Sequence, residues 1–224
     1  MNEFKKETQG SKASTYHLNE EEIHRMITVT NNRRNRLIIE LLTFTGCRRG
    51  ELVLLRRCDI LIEKGIIQMP TIKRRQGTPY ENCRTVPIIN DRLKLDLEAY
   101  LDITEAKYKP SGYSKLIQSD QHRNKDGLDE VRVNQSVADI ADRAGVKSPN
   151  PNRRHVHPHM FRHNFVRYAR RFGLNFKVIS QIIGHGSVAT TFDIYGIPDE
   201  EEIINEAKKM KGYGEKLEFE NNLK

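Results

Sequence analysis

The chain has 224 residues, with 38 Lys plus Arg against 30 Asp plus Glu, a formal net charge of +8 and a pI near 9.4. That length buries one good core, in one or two lobes, and the cationic surplus suits a polyanion, whose phosphates release condensed counterions to Lys and Arg, or else serves solubility alone. No run of about 18 apolar residues exists to span a bilayer, the opening stretch lacks the apolar core of a secretory signal, and three cysteines without CxxC spacing argue for a reduced, cytoplasmic setting and against a disulfide framework or a cysteine zinc site.

Residues 1–15 are polar and rich in Lys, Ser and Gly, the composition of a flexible tail. Asn19 followed by Glu20, Glu21 and Glu22 predicts a helix start, because the helix dipole favours acids in the first turn. Ile23, Met26 and Ile27 give it an apolar face. After Asn31-Asn32, residues 33–46 predict a second helix with Leu37, Ile38, Leu41, Leu42 and Phe44 inward and Gly46 as its stop. Residues 47–60 predict a short amphipathic helix presenting Leu52, Leu54 and Leu55. Cys47 and Cys58 read as small core residues in apolar surroundings.

The period changes over 59–88. Two β-branched runs around a Lys-Gly turn, then CRTVPII, predict a three-stranded antiparallel sheet. Its second hairpin is the basic loop 71–82, which carries Lys73, Arg74 and Arg75. Asn90 caps a helix over 91–105, residues 106–133 read mostly as loop, and 133–146 predict a helix stopped by Gly145. The proline-rich loop 148–158 ends at Pro158, well placed as an early residue of the next helix. Further helices are predicted over 175–183, over about 187–195, and after Pro198.

The stretch His157–Gly196 concentrates chemistry. His159 and Arg162 lie one helical turn apart and share a face, so a phosphate there would receive a two-pronged donor from Arg162 and a single donor from His159. Gly184-His185 closes a helix, and Tyr195 follows ten residues later beside Gly196. Upstream, Arg48 stands at a helix junction with Glu51 three positions on. It reads either as a phosphate fork or as a surface arginine paired along the helix. Zinc is the rival for the histidines: His155, His157, His159 and His163 are crowded, and the last two have the i, i+4 spacing of zinc helices. The fixed charge of Arg162 and a Met160 where HExxH has its Glu count against it.

TGCRRGEL, the lysine of the hairpin, HMFRH, IIGH and TTFDIY stand in the order found in tyrosine site-specific recombinases of the phage-integrase type, which the chain resembles over residues 16–211. The resemblance implies an α+β fold, mainly helical with a small three-stranded antiparallel sheet, and a catalytic set of Arg48, Lys73, His159, Arg162, His185 and the nucleophile Tyr195, supported by Glu51. It implies DNA strand exchange through a 3′-phosphotyrosyl link with no cofactor, on double-stranded DNA. The assembly implied is a homotetramer on paired sites and a dimer or monomer off DNA, coupled by a helix over about 199–211 ahead of the polar tail 212–224. Arg49, Arg74, Arg75, Arg84, Arg153 and Arg154 are the further side chains expected to meet DNA. Most members carry a separate N-terminal DNA-gripping domain. Fewer than twenty residues precede the catalytic part here, as in the compact fimbrial phase-switch recombinases, so no such domain is expected, and an accessory DNA-binding protein would supply its grip. Two other readings share these residues: a type IB topoisomerase-like nicking and closing enzyme, and a DNA-binding regulator with an idle site.

Overall fold

A computed structural model describes residues 16–72, 80–119 and 127–185. Its helices are α1 (Glu20–Thr28), α2 (Arg33–Thr45), α3 (Arg49–Leu54), α4 (Asp91–Tyr108), α5 (Glu130–Arg143), α6 (Pro158–Arg171) and α7 (Phe176–Ile183). Three short strands, β1 (Ile60–Leu61), β2 (Ile66–Met69) and β3 (Arg84–Pro87), pair antiparallel in chain order. The expected class, mainly helical with one small antiparallel sheet, is the one observed.

α2 is the axis. It packs against α1, α3, α4, α5 and α6, and every residue from Leu37 to Leu42 is buried. A helix apolar around most of its circumference belongs inside a bundle rather than on its surface. Its ends are set locally: the Asn32 side chain accepts from Asn35 N–H, and Gly46, at φ 59°, turns the chain out in the left-handed region. α1 starts with a full capping box between Asn19 and Glu22. Buried Asn164 of α6 makes a two-way clamp on Leu18, accepting its N–H at 3.1 Å and donating to its carbonyl at 2.7 Å. That pair of bonds ties the first described residues to the helix that carries His159 and Arg162.

Several predicted boundaries move. α4 runs on to Tyr108 and α5 begins at Glu130, so the predicted loop 106–133 is shorter at both ends. The Asp129 side chain caps α5 by accepting from Arg132 N–H, while Val131 in its first turn is exposed and therefore adds nothing to apolar periodicity. α3 is only six residues long. At Leu55 the chain turns extended, and a 3-10 turn over Arg57–Asp59, closed by the Arg56–Asp59 ion pair, replaces the rest of the predicted helix. Cys58 sits on that turn and is exposed, against its reading as a core residue; Cys47 is buried. Leu52 and Leu55 are fully buried, whereas Leu54 and Phe44 are half-buried.

One buried charge lies far from the candidate site. Glu40 of α2 is 0% exposed; its Oε1 accepts from Arg92 Nε of α4 at 3.0 Å, while Asp96 of α4 draws Arg33 and Arg36. Burial, then the charge and hydrogen bond of Asp96, push its pKa from 4.5 to about 7 against the opposing pull of Arg92 and Arg36. Glu40 Oε2 finds no donor among the described residues. Below pH 4.5 Glu40 is protonated in both folded and unfolded chains and costs nothing. As pH rises through 4.5 to 7 the unfolded chain releases the proton first, so stability falls, by an amount on the order of 3 kcal/mol once pH exceeds 7. Denaturant titrations at pH 5 and pH 8 should show that loss, and Glu40→Gln should remove most of it. An equal pH slope in the two proteins would refute the assignment.

Candidate active site

Local chain chemistry places Arg48. Gly46 ends α2, and a side chain there would meet the Phe165 ring of α6 at 2.8 Å, so only glycine lets the two helices approach this closely. Two residues later Arg48 is the N-cap of α3. Glu51, the third residue of α3, reaches back: Oε2 accepts the Arg48 backbone N–H at 2.8 Å and Oε1 accepts Arg48 Nη1 at 2.8 Å. The pairing expected for a surface arginine is therefore present, but its acid is not on the surface. Glu51 is fully buried and the Arg48 side chain is only 18% exposed.

Glu51 has a second cation. Arg84 of β3 forks onto both carboxylate oxygens, Nη1 to Oε1 at 3.0 Å and Nη2 to Oε2 at 2.8 Å. Burial alone would raise the Glu51 pKa, but the charge and hydrogen bonds of Arg84, then those of Arg48, hold it below the ordinary carboxylate value. Two guanidiniums around one carboxylate leave a net positive charge, and Arg48 is its more exposed end.

Arg162 enters from α6. It is 1% exposed, and its Nη1 donates to the Gly46 carbonyl at 2.9 Å. The residue that ends α2 thus also anchors the second arginine. α7 closes the third side. Gly184, at φ 67°, and His185 cap it through Gly184 N–H to Gln181 O and His185 N–H to Ser180 O, and the Gly184 carbonyl faces both Arg48 Nη atoms at a long 3.4 Å. Arg48, Glu51, Arg162 and the Gly184-His185 corner therefore meet where α2, α3, α6 and α7 end or begin.

His159 stands one turn before Arg162 and is exposed as a residue. Crowding of its ring, then the charges of His163, Arg162, His157 and Arg48, lower its pKa. The ring is therefore a neutral imidazole at neutral pH. The His163 pKa is lowered to about 4, by burial first and then by Arg162 and His157. The two rings meet edge to face with centroids 4.6 Å apart rather than converging on a point, and among the described residues no three His, Cys, Asp or Glu side chains gather as metal ligands would.

Arg84 requires a correction. It was expected at the DNA surface, yet it is 8% exposed and its guanidinium is committed to Glu51, to the Ile182 carbonyl and to Thr71. A signal for this lies in the strand period: Arg84 and Val86 sit two apart on β3, so the face that buries Val86 also buries Arg84. Arg153 and Arg154 are exposed, and Arg49 is paired at the surface with Glu130 at 2.6 Å. Lys73, Arg74, Arg75 and Tyr195, with the predicted helices over 187–195 and 199–211, lie outside the described residues.

A family model described as the phage integrase family matches residues 17–202. The chain belongs to the phage integrase family. Among curated phage integrase relatives, the tyrosine recombinase XerA of Pyrococcus furiosus is 31% identical over 176 residues, 78% of this chain and 54% of that protein. The XerA of Thermococcus onnurineus is 31% identical over 78% of this chain and 55% of its own length. The chain thus spans about half the length of these relatives. Among solved structures, an XerA recombinase superposes with a TM-score of 0.67 at 27% identity, covering 86% of this chain and 64% of that one. The Tn1549 transposon integrase in complex with transposon right end DNA gives 0.66 at 19% identity, over 87% and 66% of the two chains, a likeness of fold. No described helix of this phage integrase chain is long and apolar enough to cross a membrane.

Proposed function

We propose that the chain is a tyrosine-type site-specific DNA recombinase of the cytoplasm that cuts and rejoins double-stranded DNA by transesterification. The single observation that carries this reading is that two arginines far apart in sequence are held at one junction of helices, Arg48 against the Gly184 carbonyl and Arg162 against the Gly46 carbonyl two residues before Arg48. The Tyr195 hydroxyl attacks the scissile phosphate, forming a 3′-phosphotyrosyl bond and releasing a 5′-hydroxyl. The ester retains its bond energy, so a second 5′-hydroxyl reverses the step and exchanges strands without an external energy source. Arg48, Arg162 and His185 stabilise charge on the non-bridging oxygens of the transition state. Lys73 protonates the leaving oxygen. His159, neutral before DNA binds, accepts the phenolic proton; desolvation first and then the surrounding charges depress its basicity, and the incoming phosphate offsets the charges.

Arg49, Arg74, Arg75, Arg153 and Arg154 make phosphate contacts that position the duplex. Assembly is a homotetramer on two DNA sites and a dimer or monomer without DNA, with an accessory DNA-binding protein strengthening the grip. The helix that the sequence predicts over about 199–211 couples protomers: Ile203, Ala207 and Met210 recur in the sequence at helical spacing. An apolar groove of about 1000 Å³ between α1, α2, α6 and α7, lined by Ile23, Phe44, Phe165, Phe172, Leu174 and Ile182, is its socket on a neighbour.

The test is a nicked suicide duplex, drawn first from a randomised pool to recover a preferred site. Wild type should form a protein–DNA adduct that survives SDS, and Tyr195→Phe should form none. An adduct with Tyr195→Phe would make another residue the nucleophile. No adduct with wild type on any duplex would favour the idle regulator, and adducts that only reclose on their own duplex would favour the topoisomerase-like enzyme.

A further inference from the structure

Arg84 has no place in the transesterification just described, yet its guanidinium is fully engaged. Each of its guanidinium nitrogens is used. Nε donates to the Ile182 carbonyl at 2.6 Å, Nη2 to Glu51 at 2.8 Å, and Nη1 to Glu51 at 3.0 Å and to Thr71 Oγ1 at 3.1 Å. These acceptors come from three places: α3, the last turn of α7, and the chain that leaves β2 toward Lys73. We propose that Arg84 is the positioning residue of this site, taking up the charge of Glu51 so that Arg48 keeps its own for a phosphate, and holding the end of α7 where His185 stands. Naming that anion a scissile phosphate rests on the recombinase reading; the geometry of the anion site does not.

Charge balance supports the first half. Both oxygens of Glu51 are shared between Arg48 and Arg84. With Arg84 removed, a fully buried carboxylate would have Arg48 as its one remaining cation in this network, and the pair would be neutral. A phosphate would then compete with Glu51 for the same guanidinium. With Arg84 present, one positive charge is left over and faces outward through Arg48, the less buried of the two arginines. A planar fork is suited to this because it matches both carboxylate oxygens and still has Nε free for a carbonyl, which a lysine cannot do.

Packing supports the second half. Ile182 O is one of the last four carbonyls of α7, which have no partner inside the helix, and a cation there also meets the negative end of the helix dipole. Gly184 rests directly on the guanidinium: a side chain at this position would meet Arg84 Nη1 at 2.9 Å and Cζ at 3.0 Å. The same Gly184 offers its carbonyl to Arg48. The spacing between Arg48 and His185 is therefore set through a single buried side chain.

The test compares full-length wild type with Arg84→Gln, Arg84→Lys and Arg84→Gln/Glu51→Gln, with Arg48→Gln as a reference. Thermal melting reports folding, inorganic phosphate binding at low ionic strength reports the anion site, and adduct formation on the nicked duplex reports chemistry separately from DNA affinity. Arg84→Gln should weaken phosphate about tenfold and slow adduct formation about a hundredfold while DNA affinity changes less than about threefold, since the lost interaction acts at the reacting phosphate. Arg84→Lys, which keeps the charge without the fork, should fall between. The double variant should regain phosphate affinity to within about threefold of wild type, because it removes the carboxylate left unbalanced. A merely structural arginine predicts no such rescue.

A folded Arg84→Gln with wild-type phosphate affinity, a double variant no better than the single one, or phosphate binding that Arg48→Gln leaves intact would each overturn the assignment. If Arg84→Gln does not fold, the lysine and double variants decide by the same criteria. Should wild type form no adduct while phosphate binding follows the expected order, the recombinase reading fails and the role of Arg84 stands. Adduct formation that is indifferent to Arg84 does the reverse: the recombinase reading stands and the role of Arg84 fails.

Discussion

Replacing Glu51 with alanine is expected to cost about 3–5 kcal/mol of folding stability, the penalty for breaking a buried ion pair from one side. Glu51 is 0% exposed and accepts four hydrogen bonds, two from Arg48 and two from Arg84. Its removal leaves the Arg84 guanidinium, with a side chain 7% exposed, short of its only anionic partner among the described residues. It also strips the Arg48 backbone N–H of its acceptor at the start of α3, a helix of six residues with little stability of its own. Glu51→Gln should cost less, because an amide oxygen still accepts and no volume is lost. Urea titration monitored by circular dichroism measures both. A loss below about 1 kcal/mol for the alanine variant, the range of an exposed pair, would show that the cluster is far more hydrated than its burial implies.

Arg162→Lys is expected to slow adduct formation by about 10²–10³, the usual loss when one preorganised donor to a transition-state oxyanion is removed. Arg162 is almost fully buried and donates from Nη1 to the Gly46 carbonyl. A guanidinium can hold that carbonyl with one nitrogen and present others to a phosphate in the same plane; an ammonium is a single point of charge and must choose. Stability should change much less than rate, since the positive charge is retained. Single-turnover cleavage of the nicked duplex, set beside urea midpoints, separates the two. The combined Arg48→Lys/Arg162→Lys variant should fall short of the product of the single losses, because residues that act on one phosphate are not independent. A single variant within threefold of wild type would remove Arg162 from the chemistry.

Local features of the chain were legible because their causes are local. Asn19 with Glu22, Asn90, Gly46, Pro158 and Gly184 mark helix ends in the sequence, and each does so in the structure. The apolar spacing of α1 and α2 and the change of period over residues 59–88 likewise announced the bundle and its small sheet. Boundaries were misplaced where a polar side chain, rather than apolar periodicity, decides them, as at Asp129 before α5 and Asp59 after α3.

The resemblance to tyrosine site-specific recombinases was legible as motifs in order, because it lies in residue type and spacing. By itself the sequence thus determined the family, the helical bundle with its sheet, and the identities of Arg48, His159, Arg162 and His185 as candidates. Only the tertiary structure decided what Arg48, Glu51 and Arg84 do to one another. Arg48 and Gly184 are 136 positions apart and Arg84 and Glu51 are 33 apart, and no local rule says that they meet. An arginine in a basic chain reads as surface until an acid, a carbonyl and a hydroxyl are found around it, since desolvating a guanidinium is tolerable only where such partners are already in place. The fold puts those partners at Arg84, and so turns an expected DNA contact into the buried support of the residue beside it.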